Sequence, residues 1–348
     1  MEPSVSSPRV AVVGATGAVG PIVLEVLAER RFPAAEVAAF ASGRSAGQRV
    51  AFAGGELEVR ELTADALEGF DLALFSAGAS TSKRFAPEAV TRGCVVVDKS
   101  SAFRMDSDVP LVVPEVNPDA LAGHRGIVAN PNCSTIQLVA ALKPLHDAAG
   151  LTHVTVATYQ AVSGTGAGAV EELRLQSHAM LAGEPAVASV YPHQIAFNVL
   201  PQCDAFDGAS TLEETKLVRE THKILGDPSI AISATCVRVP VWRGHSEAVW
   251  IETREPLAAD RARDLLARAP GVRVIDDPAV GAYPLPSQAV GGDDVLVGRI
   301  RADKSRRNGL SLWIVADNLR KGAATNGVQV AELLVQQGLV RVPNRAAA

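Results

Sequence analysis

Apolar residues along the chain follow two rhythms, and the change between them falls near residue 132. Before it the apolar runs are short and nearly unbroken: Arg9–Val13 (RVAVV), Glu36–Phe40, Asp71–Phe75 (DLALF), Cys94–Val97 (CVVV) and Gly126–Ala129 (GIVA). Unbroken runs of this length predict strands buried on both faces. Helical or irregular stretches separate several of them, as in VGPIVLEVLAERR after the first run and in Ser82–Arg92. Strands alternating with helices predict a parallel sheet covered on both sides.

Beyond Asn132 the pattern lengthens. Cys133–Ala149 carries apolar residues at Ile136, Val139, Ala140 and Leu142, which predicts a helix that Pro144 should kink or shorten. Longer alternating strands are predicted over Leu151–Val162, Ile230–Pro240 and Ser246–Thr253, with a charged helix at Thr211–Leu225 between the first two. Leu310–Val315 is a further strand. Ala316–Gly338 reads as a final helix, apolar at Val328, Leu333, Leu334 and Val335. Strands of this kind predict a mixed sheet in a second, α+β domain.

Composition narrows the possible roles. A chain of 348 residues fits about two domains, and 47% hydrophobic with 20% charged residues is enough apolar content for large cores. The net charge is −5 and Lys and Arg are scattered, which gives no support to nucleic-acid binding or a polybasic membrane contact. No apolar stretch approaches the roughly 18 residues of a membrane-spanning helix. The opening MEPSVSSP lacks the features of a signal peptide and reads as a short mobile tail. Cys94, Cys133, Cys203 and Cys236 match neither metal pairs nor a disulfide framework, so a reduced cytoplasmic protein is expected. The histidines form no H-x-x-x-H or H-E-x-x-H pair, and no metal is implied.

Gly14-Ala15-Thr16-Gly17-Ala18-Val19-Gly20 lies between the first strand and first helix. Glycines there allow a tight turn and let backbone N–H groups approach a pyrophosphate at the helix start. With the strand pattern this predicts a Rossmann-like, doubly wound domain over 1–132. An NAD site usually carries an acid at the end of the second strand for the ribose 2′-OH. Here that strand runs into Ser42, Gly43, Arg44 and Ser45 with no acid in place. Ser42, Arg44 and Ser45 could hold a 2′-phosphate, which favours NADP; an ordinary polar loop is the alternative.

Asn130-Pro131-Asn132-Cys133-Ser134-Thr135 marks a strand-to-helix junction. A thiol in a first helical turn meets N–H groups and a dipole that favour its anion, although a buried structural cysteine would fit the same spacing. His245 could exchange protons or be a surface residue at a strand end. Gln160 could position a reactant or satisfy itself in a core. Glu213, Lys216 and Glu220 stand at helical spacing, which by itself describes a solvated face of ion pairs. Arg238, on an otherwise apolar strand, is awkward to bury without a carboxylate.

Five ordered segments go further: GATGAVG, LVVPEVN (Leu111–Asn117), PNCSTIQ (Pro131–Gln137), YQAVSGTGAGA (Tyr159–Ala169) and SATCVRVPVWRGHSE (Ser233–Glu247). Together with the closing ADNLRKGAATNGVQ they resemble the aspartate-semialdehyde dehydrogenases of bacterial type, nearly end to end. That resemblance implies an NADP(H)-dependent enzyme interconverting aspartyl phosphate and aspartate semialdehyde, in lysine, threonine, methionine and diaminopimelate biosynthesis. It implies Cys133 as nucleophile through a thioester, beside Asn132, with His245 as acid–base group and Gln160 positioning the reacting species. Glu213 would meet the substrate amine, Arg238 its α-carboxylate, and Lys216 and Arg104 the phosphate. Gly14, Thr16, Gly17, Ala18, Val19, Ser42, Arg44, Ser45, Ser163, Gly164 and Asn318 would contact the cofactor. The resemblance also implies a homodimer, with four chains as an alternative, and a cofactor domain completed by the C-terminal 318–348, leaving 133–317 for catalysis and dimerisation.

Rival readings are a sister phosphorylating enzyme such as N-acetyl-glutamyl-phosphate reductase or glyceraldehyde-3-phosphate dehydrogenase, a silent paralogue, and a thiol hydrolase. Glu213 with Arg238 suits a free amino acid, which neither sister substrate offers. Retention of Cys133, Gln160, Arg238 and His245 together argues against a silent paralogue, and a hydrolase leaves the glycine turn unexplained.

Overall fold

The computed structural model describes residues 7–342, so most of the expected N-terminal tail lies outside the described residues. The chain divides into two units, whose described parts are 7–131 with 323–342 and 132–322.

The first unit is built on a seven-stranded sheet of β1 (Arg9–Val13), β2 (Glu36–Ala41), β3 (Arg49–Phe52), β4 (Gly55–Glu61), β5 (Leu72–Phe75), β6 (Val95–Asp98) and β7 (Ile127–Ala129), in the order β3-β4-β2-β1-β5-β6-β7. All pairings are parallel except β3 with β4. Every residue of β5 and β6 is buried, as strands covered on both faces require. The helices α1 (Gly20–Glu29) and α2 (Ala79–Thr91) connect them. Ala11, Val13, Phe40, Phe75 and Val96 anchor one core layer. The β3–β4 hairpin was not expected. It turns through Ala53 and Gly54, both at positive φ; β3 is the edge strand, and the exposed, charged β4 lies between it and β2.

The second unit opens with α3 (Cys133–Ala149) and contains β8 (Leu151–Gln160), α4 (Ala167–Leu181), a short hairpin of β9 (Phe206–Asp207) and β10 (Ser210–Thr211), α5 (Leu212–Leu225), β11 (Ala231–Arg238), β12 (His245–Thr253), α6 (Ala259–Arg268), β13 (Val272–Val274), α7 (Pro286–Ala289), β14 (Val295–Asp303) and β15 (Gly309–Ala316). Six strands form a mixed sheet in the order β11-β8-β12-β15-β14-β13. Burial alternates along β8 and β12, so one face is packed and the other half-covered. Leu138, Leu142 and Leu145 of α3 and Leu217 of α5 lie in the same core cluster as Val154, Val156, Val249 and Leu312.

Two expectations are corrected. Pro144 does not shorten α3, which runs on to Ala149. A proline there removes one backbone hydrogen bond, and the buried Leu142, Leu145 and Ala149 outweigh that loss. The single helix expected over Ala316–Gly338 is instead the end of β15, a turn, a π-helical segment Arg320–Thr325, and α8 (Asn326–Gln336). Asp317 makes the turn by accepting the backbone N–H groups of Leu319 at 3.0 Å and Arg320 at 3.3 Å. In the first unit, α8 is fixed by Asn326, whose side-chain amide donates to the Val112 carbonyl at 3.0 Å and to Asn130 Oδ1 at 2.7 Å. Among the described residues no helix is long and apolar enough to cross a membrane.

Candidate active site

In the first unit the glycine turn closes on itself and on the neighbouring strand. Gly17 N–H bonds the Gly14 carbonyl at 3.0 Å, and the Gly14 and Ala15 N–H groups share the Phe40 carbonyl at 2.8 and 3.0 Å. Gly14 has a φ of +84°. A Cβ on Gly20 would stand 2.2 Å from the Gly14 carbonyl oxygen, so only glycine lets α1 start this close to the turn. Ala18 and Gly17 are exposed at the tip, and Val19 is buried as the residue before α1. The Thr16 hydroxyl donates to Ser45 Oγ at 3.2 Å and ties the turn to the 3₁₀ turn Gly43–Ser45 after β2. Ser42 and Arg44 are exposed beside it. This cradle, free of side chains where a pyrophosphate approaches, fits a dinucleotide.

An acid does approach this turn, from the neighbouring strand rather than from β2. A Cβ on Gly43 would lie 2.8 Å from Glu61 Oε1, so the Glu61 carboxylate at the end of β4 packs directly over the turn. The register that pairs Ala41 with Glu61 puts it there, a relation between strands that no spacing reveals. Arg104 also belongs to the first unit, buried, with an Nη2–H donating to the Lys99 carbonyl at 2.7 Å.

In the second unit Cys133 is the first residue of α3. It is partly exposed, whereas Cys94, Cys203 and Cys236 are buried. Burial pushes the Cys94 and Cys203 thiols up to about 12, and drives Cys236 up as well. Asn132 caps the helix, its Oδ1 accepting the Ser134 N–H at 2.9 Å. Its Nδ2 donates to Glu213 Oε1 at 2.9 Å, and its backbone N–H donates to Glu220 Oε2 at 2.7 Å. Gln160, at the end of β8, donates to Ser134 Oγ at 2.9 Å and to Glu213 Oε1 at 3.3 Å. Cys133 also touches the π-helical segment: a Cβ on Gly322 would stand 3.0 Å from the Cys133 Cβ.

Glu213 and Glu220 are 7% and 1% exposed, so the solvated-face reading of α5 fails for both. Lys216 donates to Asp204 at 2.6 Å and to Glu213 at 3.4 Å. Burial draws its ammonium down, but Glu213 and Asp204 outweigh that and leave it above its ordinary value.

Arg238 ends β11, 6% exposed, with an Nη1–H donating to the Ala161 carbonyl at 2.7 Å. Among the described residues it pairs with no acid, and its Nε has no hydrogen-bond partner. His245 starts β12 fully buried, which rules out a surface histidine. Its Nδ1 accepts the Ala161 N–H at 3.0 Å, while Nε2 has no partner. Burial, then the nearby Arg238 charge, pushes the ring well below its ordinary value. Gly164 faces both: a Cβ there would meet Arg238 Nη1 at 3.0 Å and His245 Nε2 at 3.1 Å. Asn318 Oδ1 accepts the Gly244 N–H at 2.9 Å, and its Nδ2 donates to Ser163 Oγ at 3.0 Å.

The sequence reading missed the group that binds these segments together. Asp317, fully buried, accepts from Arg243 Nε at 2.8 Å and from the Gly291 N–H at 2.8 Å, besides the turn it makes toward Asn318. It also missed Glu247, fully buried two residues after His245, with Gln137 nearby on α3. Only their adjacency to Asn318 and His245 in sequence pointed to them.

A nucleotide cradle in one unit, and in the other a helix-start cysteine among buried amide, acid, arginine and histidine groups, are features expected of an oxidoreductase linked to a nicotinamide nucleotide. Comparison with known proteins gives the family. Residues 9–124 match the semialdehyde dehydrogenase NAD binding domain, and 142–321 match the semialdehyde dehydrogenase dimerisation domain. The chain is 55% identical over 337 residues to aspartate-semialdehyde dehydrogenase of Aquifex aeolicus, covering 95% of this chain and 99% of that one. It is 52% identical to the Bacillus subtilis enzyme of that name, at 95% and 99% coverage. The crystal structure of aspartate semialdehyde dehydrogenase II from Vibrio cholerae complexed with ASA superposes with a TM-score of 0.92 at 49% identity, covering 95% and 99%. The aspartate semialdehyde dehydrogenase of Candida albicans with NADP gives 0.73 at 26% identity, covering 96% and 100%. The chain belongs to the aspartate-semialdehyde dehydrogenases, oxidoreductases of the phosphorylating aldehyde dehydrogenase class.

Proposed function

We propose that the chain oxidises and regenerates aspartate semialdehyde through a thioester on Cys133, using NADP and inorganic phosphate. The observation that carries this is the buried Arg238, which among the described residues has no acidic partner and lies beside Gly164 and His245. A buried guanidinium of this kind suits the α-carboxylate of a small amino acid. Glu213, already shared by Asn132 and Gln160, is the acid that would take the substrate amine.

In the oxidative direction the Cys133 thiolate forms a C–S bond to the aldehyde carbon, and the carbonyl oxygen becomes an alkoxide. The start of α3 favours the attacking anion. His245 Nε2–H donates to that oxygen, and Gln160 orients the reacting carbon. Ser163, Gly164 and Asn318 would hold the reactive end of a nicotinamide, which would supply the hydride acceptor needed to take this adduct to a thioester. Phosphate, held by Lys216, then attacks the thioester carbon and releases aspartyl phosphate and the thiolate. Charge balances at each stage without a separate base, because the alkoxide forms directly from thiolate and aldehyde. The resemblance implied a proton-exchanging histidine; the hydrogen-bond pattern supports the donating half of that role.

The Gly14–Gly20 turn, with Thr16, Ser42, Arg44 and Ser45, would hold the adenosine half. The first unit is thus the cofactor domain and the second the catalytic one. A homodimer would form through the second unit, where the Tyr159 and Trp313 rings pack at a tilt with centroids 5.4 Å apart and Tyr159 is exposed on the mixed sheet. Four free cysteines support a reducing, cytoplasmic setting.

NADPH formation from aspartate semialdehyde and phosphate, followed by absorbance, tests this reading. Wild type should turn over only with phosphate, and Cys133→Ala should be inactive yet still bind NADP. Loss of NADP binding in that variant would make Cys133 structural, and phosphate-independent turnover would remove the thioester route.

A further inference from the structure

Glu220 stands two turns after Glu213 on α5 and is more deeply buried, at 1% exposure. Burying a carboxyl group is costly unless it is hydrogen-bonded. One bond it makes is unusual in its target. Oε2 accepts the backbone N–H of Asn132 at 2.7 Å, across 88 residues of chain.

Asn132 is the cap of α3, and Cys133 follows it as the first helical residue. One helix therefore grips Asn132 twice, the main chain through Glu220 and the side chain through Glu213. The two grips differ in what happens when substrate arrives. Glu213 also takes bonds from Gln160 and Lys216, and in the proposed reaction it turns to the substrate amine. Glu220 keeps its bond throughout, because a backbone N–H within a capped turn has no competing use. A bond to the main chain fixes the direction in which the chain enters α3, and with it the Cα–Cβ vector of Cys133.

We propose that Glu220 is a positioning residue for the Cys133 thiol, holding the Asn132 main chain while Glu213 engages substrate. This rests on the reading of Cys133 as nucleophile and Glu213 as substrate contact.

The test compares Glu220→Gln, Glu220→Asp and Glu220→Leu with wild type by steady-state kinetics and by the pH profile of Cys133 alkylation with iodoacetamide, read by peptide mass spectrometry. Glutamine keeps an acceptor oxygen at the same reach and should hold kcat within about threefold. Aspartate falls one methylene short and leucine has no acceptor. Each should lose about 10- to 100-fold in kcat, as expected for a displaced reacting group, with KM changed less than about threefold. Their alkylation profile at Cys133 should also move. A folded Asp or Leu variant with wild-type kcat and alkylation would overturn the proposal. The aspartate variant retains a carboxylate on an intact helix, so it decides the matter even should leucine prevent folding. Turnover that survives complete alkylation of wild-type Cys133 would instead remove the nucleophile reading, and the alkylation profiles would still report whether Glu220 sets the thiol.

Discussion

The Ala161 N–H and Nδ1 of His245 lie 3.0 Å apart, and that bond decides where the ring carries its proton. An amide N–H only donates, so Nδ1 is the acceptor and the neutral ring holds its hydrogen on Nε2. A second ring proton would collide with the amide, and burial also opposes the charge. His245 is thus built as a neutral donor aimed toward Gly164.

A neutral, buried ring has a signature in stability. The unfolded chain binds a proton at His245 near pH 6.5, whereas the folded ring resists it until well below. Wild type should therefore lose stability as pH falls below about 6.5, by up to about 1.4 kcal/mol per pH unit from this group. His245→Asn should lack that contribution and turn over slowly with near-normal substrate affinity. Urea unfolding at pH 7.5 and 5.5 checks the first point. Identical pH slopes in both proteins would show that the ring charges within the fold.

Arg238→Leu separates the two anions of the reaction. Loss of charge-assisted bonds to a carboxylate, about 1.5–3 kcal/mol, should raise the KM for aspartate semialdehyde roughly 10- to 100-fold. The KM for phosphate should move less than about threefold. Equal effects on both would sink the carboxylate assignment.

Glu247 titrates in the opposite sense. Burial pushes its carboxyl well above the ordinary value, and the nearby Gln137 amide offsets that only in part. The unfolded group ionises near pH 4.5 while the folded one keeps its proton. Stability is therefore greatest below that value and declines as pH rises through the window. Glu247→Gln, a neutral isostere, should match wild type near pH 4.5 and exceed it at pH 8, by about 1 kcal/mol or more. Denaturant midpoints at both pH values would show it, and a variant less stable at pH 8 would mean that the carboxylate is needed charged.

Glu61 bears on the choice of cofactor. Its carboxylate lies against Gly43, within the turn that would hold a 2′-phosphate. Like charges across a few ångströms of partly exposed protein are weakly repulsive, so Glu61→Gln should tighten 2′,5′-ADP roughly threefold and leave 5′-AMP unchanged. Calorimetric titration of both ligands measures the ratio. An unchanged ratio would place Glu61 outside the phosphate subsite.

What could be read from sequence followed from how each residue announces its surroundings. Val95–Val97 and Leu72–Phe75 are apolar without a break, and they are interior parallel strands. The hairpin over Arg49–Glu61 was invisible because β3 is only four residues long and β4 is largely charged, so the pair looks like a loop. Ala316–Arg320 misled because a strand end and a tight turn share the composition of a helix. Within the candidate site, Cys133 and His245 stood out through the motifs around them. Glu220 and Asp317 did not, since helical spacing cannot distinguish an acid facing water from one facing another segment's backbone. Glu61 depended on strand register, which a linear reading does not contain.

The Asn326 side chain that joins Val112 and Asn130 also sets a schedule for the newborn chain. Strands β1 to β7 leave the ribosome first, yet the amide that secures their last loop arrives some two hundred residues later. A whole domain is synthesised in the interval, and it can fold before the first is finished. The nucleotide-binding unit is split around the second one, so a chain released before α8 would leave a sheet lacking one of its covering helices.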